Sequence, residues 1–240
     1  MSATLVTPSA PQLELADAKA LAALIDHTLL RPDASAAEIS AHCRQALHFG
    51  FATVFVHAHW LPLAADILRN STIKLGTPIG FPFGAQLTSI KRAEAEAATR
   101  LGAQELDMVI NLGALKSGDR AQVEYDIRGV AQIAHAGGAL LKVIIETGLL
   151  SMDEKILACE LSVAARADFV KTCTGINGGA ATVDDIALMR GVVGNRAGVK
   201  ASGGIRNAAA VQAMVAAGAN RIGTTTGVEI MASFEAGAAL

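Results

Sequence analysis

Cysteine is scarce and unpaired in this sequence: Cys43, Cys159 and Cys173 are its only three, scattered, with no CxxC spacing. That argues against a disulfide framework and against a thiolate zinc site, and it makes a reducing cytoplasm the expected compartment. Excess charge is missing too. The formal net charge is −2, so no basic field exists to attract nucleic acid or an anionic membrane surface. No apolar run reaches the roughly eighteen residues of a membrane span. The opening "MSATLVTPSAPQLELADAKALAAL" lacks a basic segment followed by an apolar one, so no export signal is expected. Nor does any Pro/Ser linker or long charge block divide the chain. We expect residues 1–20 to be a lead-in and residues 21–240 to be a single domain, with 52% apolar residues to fill its core.

What the sequence does have is alternation. Eight short apolar runs, "LIDHTLL" (24–30), "FATVFVH" (51–57), "IKLGTPIGF" (73–81), "ELDMVIN" (105–111), "LLKVIIET" (140–147), "DFVKTCTG" (168–175), "GVKASGG" (198–204) and "NRIGTTTG" (220–227), read as strands. Between them, amphipathic Ala-rich stretches predict helices at 35–49, 60–69, 88–101, 119–135, 151–165, 182–193 and 207–217, with Ser35, Thr88, Ser151 and Thr182 as N-caps. "LGAQELDMV", "AARADFVKT" and "AAGANRIGT" share one local design, a helix end, a few small or polar residues and a strand. Nearly continuous apolar strands alternating with helices imply a parallel sheet covered by helices. Eight of them at this length favour closure into a (β/α)8 TIM barrel over an open doubly wound sheet.

Several of these strands carry charge. Side chains alternate faces along a strand, so Lys171 shares a face with Phe169 and Cys173, Asp107 with Val109 and Asn111, Lys142 with Ile144 and Glu146, and Asp26 with Thr28. Apolar helices cover the outside of a barrel, so Asp26, Asp107, Lys142, Lys171 and Lys200 are expected inside, near the mouth. A lysine in water titrates near about 10.4 and is a poor nucleophile at neutral pH. Burial and a neighbouring cation disfavour the charged form, and a shift of about three units represents roughly 4 kcal/mol. A neutral amine attacks a carbonyl to form a Schiff base, which stabilises the enamine needed to break or make an adjacent carbon–carbon bond. An aldolase follows, with Asp107 and a water moving protons.

"KASGGIRNAAA" and "RIGTTTGVEI" each end a strand in glycines and enter a helix. Backbone N–H groups at such turns hold anions, and the loops after the seventh and eighth barrel strands commonly hold phosphate. A phosphorylated substrate is the implied ligand.

With these residues in place, the chain resembles the 2-deoxyribose-5-phosphate aldolase family. The similarity runs from about residue 24 to 231 through "IDHTLLRPDAS", "IGFPFGAQLTSIKRAEAEAATRLGAQELDMVINLGALKSGD", "LKVIIETGLL", "DFVKTCTGINGGAATVDDIALM", "GVKASGGIR" and "RIGTTTGV", in family order. The resemblance implies Lys171 as the Schiff-base lysine, Lys200 as the neighbour that tunes it and Asp107 as the proton relay. It implies Lys142, Asp26 and Thr28 as supporting residues, and Gly175, Gly203, Gly204, Gly223, Thr225 and Thr226 as the phosphate site. The implied reaction cleaves 2-deoxy-D-ribose 5-phosphate reversibly into acetaldehyde and D-glyceraldehyde 3-phosphate, with neither metal nor organic cofactor, in deoxynucleoside catabolism. Helical faces of such a barrel can also pair subunits, so a homo-oligomer is compatible with the sequence.

The chain departs from the family pattern at Phe55, His57 and His59, where Cys followed by Asn or Tyr and Pro is more usual, and at Cys173, where Ser is usual. It also has Ile176 in "TGIN", threonines for serines at 225–226, and no tyrosine in its final "EAGAAL". Phe55 is expected to narrow the mouth, and Gly76, Gly80 and Gly84 to form a loop lining it. His57 and His59, two apart, are the alternative start of a metal site, with no third ligand evident. Cys173 is expected as a small buried thiol rather than a reactive one. An aldolase for a different deoxysugar or hydroxyaldehyde, phosphorylated or not, and a non-catalytic sugar-phosphate-binding barrel are the remaining readings.

Overall fold

The computed structural model describes residues 17–238. Its strands are β1 (Ile25–Leu29), β2 (Thr53–Val56), β3 (Lys74–Ile79), β4 (Glu105–Val109), β5 (Leu140–Ile144), β6 (Phe169–Lys171), β7 (Gly198–Ser202) and β8 (Arg221–Thr224). Each pairs in parallel with the next, and β8 pairs with β1, so the sheet closes into the expected (β/α)8 barrel. The helices are α1 (Ala18–Ala22), α2 (Ala36–Phe49), α3 (Leu61–Leu68), α4 (Thr88–Arg100), α5 (Leu112–Lys116), α6 (Arg120–Ala136), α7 (Met152–Ala164), α8 (Val183–Val193), α9 (Ala208–Ala216) and α10 (Gly227–Ala238).

Outward-facing strand residues such as Val54, Leu106, Val143, Val170, Val199 and Ile222 are fully buried beneath the helices. This sandwiching is why the strands read as near-continuous apolar runs. Ser35 and Ser151 cap α2 and α7 in reciprocal capping boxes with Glu38 and Glu154, and the Thr182 hydroxyl accepts from the Asp185 N–H at the start of α8. Thr88 does not cap α4. Leu87 occupies the cap position, and the Thr88 hydroxyl instead accepts from Gln122 on α6.

Three helices escape the sequence pattern. α1 and α5 have five residues each, too few for a 3.6-residue period to show, and α10 follows β8 directly. α1 straddles the expected lead-in boundary, with Leu21 and Ala22 already in the core; most of the lead-in lies outside the described residues, as does the end of "EAGAAL". In the shared helix-to-strand design, Gly102 and Gly218 adopt positive φ, whereas Arg166 does so (φ 67°) without glycine's freedom.

Candidate active site

Register sets the chemistry. Lys171 on β6 lies beside Lys200 on β7, which lies beside Arg221 on β8; Asp107 on β4 lies beside Lys142 on β5. Register neighbours point to the same face, so these side chains meet inside the barrel. One carboxylate oxygen, Asp107 Oδ2, accepts from Lys171 Nζ at 2.8 Å and from Lys200 Nζ at 2.7 Å. Lys200 also reaches Asp26 Oδ2 at 2.5 Å. Beneath them Lys142 bonds Asp107 Oδ1 at 3.1 Å and Glu105, while Arg221 bonds Asp26, Glu105 and Thr53.

The network thus joins four basic groups (Lys142, Lys171, Lys200, Arg221) to three carboxylates (Asp26, Glu105, Asp107). Loss of a single proton makes it neutral, and burial favours the neutral sum. Lys200, fully buried, is where the protonated form is weakest. Burial, aided by the Lys171 and Lys142 cations and opposed by Asp107 and Asp26, lowers it to about 8. For Asp107 burial works against ionisation, yet Lys142, Lys171 and Lys200 hold it well below the usual carboxylate range. Asp26 falls to about 2, its burial outweighed by Lys200, Lys142 and Arg221. Lys142 resists its own burial because Asp107, Asp26 and Glu105 surround it, and it is raised.

Above the network lies a cavity of about 440 Å3, lined by residues of the loops after β1, β3, β6, β7 and β8. Of the buried basic groups Lys171 alone lines it; Lys200, Lys142, Asp26 and Asp107 lie below. They sit deeper than the mouth position expected from strand order. Thr28 lines the same cavity, and so do all six expected phosphate residues, Gly175, Gly203, Gly204, Gly223, Thr225 and Thr226. Gly203 and Gly204 both have positive φ (93° and 77°), which a side chain would strain, and α10 begins just past Thr226. The result is a concave backbone turn beside a helix N-terminus. Thr225 is exposed, whereas the Thr226 hydroxyl lies 3.0 Å from the Thr224 hydroxyl, which donates to the Ile205 carbonyl. A larger surface groove of about 700 Å3, at Arg128, His135 and Arg166, holds none of the buried network.

A family profile described as DeoC/LacD family aldolase matches residues 20–233. The chain belongs to the DeoC/LacD aldolase family. It is 54% identical to deoxyribose-phosphate aldolase 1 of Bacillus licheniformis, over 89% of this chain and 95% of the relative. Among solved structures it is similar to a putative deoxyribose-phosphate aldolase from Coccidioides immitis (39% identity, TM-score 0.89, 97% of this chain and 90% of that one). It is similar also to the deoxyribose phosphate aldolase of Aeropyrum pernix, described as a unique tetramer (31% identity, TM-score 0.87, 95% and 99% covered).

Within this DeoC/LacD aldolase several sequence expectations need correction. Phe55 does not narrow the mouth. It is buried inside the barrel, its ring centroid 4.0 Å from Lys200 Nζ and 4.6 Å from Lys142 Nζ, a cation–π contact with both. Gly76 lies within β3, not in a loop, and glycine is needed there because a Cβ would fall 2.5 Å from the Phe55 ring. Of the β3 loop it is Phe81, not Gly80 or Gly84, that lines the cavity. His57 bonds the Leu30 carbonyl, while His59 packs edge-on to Trp60, so the two serve different contacts. Cys173 is buried, with Sγ donating to the Ser202 carbonyl at 2.8 Å, and burial raises its thiol. Glu105 and Arg221 were missed, although each stands two residues from Asp107 or Gly223 in its strand, the spacing that shares a face.

Proposed function

We propose that this chain is a class I aldolase that reversibly cleaves 2-deoxy-D-ribose 5-phosphate into acetaldehyde and D-glyceraldehyde 3-phosphate through a Schiff base on Lys171. The observation that carries the reading is the position of Lys171: it is the one lysine of the buried network on the cavity wall, and it shares a carboxylate oxygen with Lys200. Asp107 stays ionised, so it serves as a conduit, and Lys200 is the group whose proton is held loosely. A proton leaving Lys171 passes through Asp107 Oδ2 to neutral Lys200.

The freed Lys171 amine attacks C1 of the open-chain sugar, and loss of water from the carbinolamine leaves an iminium. Removal of the proton from the C3 hydroxyl then breaks the C2–C3 bond, and the electron pair is taken up as the enamine. Protonation of the enamine at C2 and addition of water release acetaldehyde and restore the amine. A water relayed by Lys200 and Asp107 supplies and removes these protons. The phosphate rests on the glycine turns at Gly175, Gly203, Gly204 and Gly223 and on Thr225 and Thr226, with Lys142, Asp26 and Thr28 supporting the site. The chemistry needs no metal or organic cofactor.

Assembly into a homo-oligomer belongs to the same reading and is supported by the tetrameric relative from Aeropyrum pernix. So does work in the cytoplasm, supported by three free, buried cysteines. No described helix is long and apolar enough to cross a membrane. The test is release of glyceraldehyde 3-phosphate from 2-deoxyribose 5-phosphate. We expect turnover by the unmodified protein and its loss in Lys171→Met; full activity in that variant would overturn the role of Lys171.

A further inference from the structure

Six carboxylates are buried among the described residues, and five of them, Asp26, Glu105, Asp107, Asp126 and Asp185, have a cationic partner. Glu146 does not. It is fully buried just past β5, and its backbone is left-handed (φ 59°, ψ 61°) without glycine's freedom to be so. A buried carboxyl without a cationic partner, in a strained backbone, is retained only where its surroundings fix it, and here the surroundings are donors from another loop.

The Glu146 carboxylate accepts from the Thr174 N–H at 3.2 Å, from the Thr174 hydroxyl at 2.6 Å and from the Asn177 amide at 2.9 Å. The same Asn177 amide donates to the Pro82 carbonyl at 3.1 Å, and so ties three loops of the mouth together, those after β3, β5 and β6. The segment from 174 to 180 supplies six of the cavity-lining residues, Gly175 among them. Glu146 does not line the cavity itself; its carboxylate bonds Thr174, which does, and Asn177 in the same segment.

We propose that Glu146, acting through Thr174 and Asn177, is a positioning residue that holds the loop after β6 in the conformation that recognises the substrate's phosphate. It thereby sets the preference for phosphorylated over unphosphorylated deoxysugar. This inference rests on the assignment of Lys171 and the glycine turns given above. It adds a residue outside the lysine network, which acts on recognition of the distal end of the substrate and leaves Schiff-base chemistry with a small aldehyde alone.

The test compares the unmodified protein with Asn177→Ala and Glu146→Gln. Asn177→Ala removes one arm of the clamp and leaves Glu146 its bonds from Thr174, so it serves even where Glu146→Gln fails to fold. Two readouts are taken from each protein: the ratio of kcat/KM for 2-deoxyribose 5-phosphate to that for 2-deoxyribose, and the rate of borohydride trapping with acetaldehyde. Loss of hydrogen bonds to a charged group is expected to lower the ratio by about ten- to a hundredfold, chiefly through KM for the phosphorylated sugar. Trapping, which needs no phosphate, is expected to stay within about twofold. An unchanged ratio in Asn177→Ala, or a parallel fall in both readouts, would overturn the positioning role. Absence of trapping in the unmodified protein would instead overturn the Lys171 assignment, which separates the two failures.

Discussion

Lys200 and Lys171 both bond Asp107 Oδ2, but only Lys171 also meets the cavity. On the proposed mechanism this divides nucleophile from proton acceptor. With Lys200 lowered to about 8 by burial and its neighbouring cations, Schiff-base formation should accelerate as pH rises through that value, because neutral Lys200 accepts the proton that Lys171 must shed. In Lys200→Met the rate should fall and the limb near pH 8 disappear from the pH profile of trapping; an unchanged limb would contradict the relay. The inward lysines and aspartates were legible from two-residue alternation combined with charge in an apolar run. Phe55 was not, since a lone aromatic in a strand reads the same whether it faces a cavity or underlies two ammonium groups. Only the void at Gly76, brought alongside by the sheet register, distinguishes these cases.

At the scale of elements, what the sequence conceals is pairing between helices. Strands were readable because burial on both faces makes apolar runs, and helix starts because capping residues are local. Lys91 on α4 and Asp126 on α6 gave no such signal, since in each helix the charged residue looks like part of a solvated face. In the fold Lys91 is completely buried, 2.5 Å from Asp126 and 3.0 Å from the Val109 carbonyl at the end of β4. Both helices are thereby fixed to the strand that carries Asp107. Asp126→Ala leaves a buried ammonium unpaired and should cost about 3–5 kcal/mol in urea unfolding, whereas the double replacement Lys91→Met/Asp126→Leu should recover most of it. Equal losses in the two variants would show that the pair acts through shape rather than charge.

For the whole molecule, closure of the barrel gathers charges from β1, β4, β5, β6, β7 and β8 at its centre, so stability and chemistry share one network. Asp26 lies at about 2 in the fold against an ordinary 3.8, a depressed carboxyl. Its contribution, about 2 kcal/mol, is present above the unfolded value and lost as pH falls through the folded one. Melting temperature should therefore drop between about pH 4 and pH 2, and Asp26→Asn, less stable at neutral pH, should show a shallower slope in that window. A slope identical to that of the unmodified protein would place the acid-sensitive groups elsewhere. Closure of the barrel also decides which amine faces the cavity, Lys171. The direct measurement is borohydride reduction in the presence of acetaldehyde, read by intact mass and peptide mapping. One ethyl adduct per chain is expected, on Lys171; an adduct on Lys200, or none, would contradict Lys171 as the Schiff-base lysine.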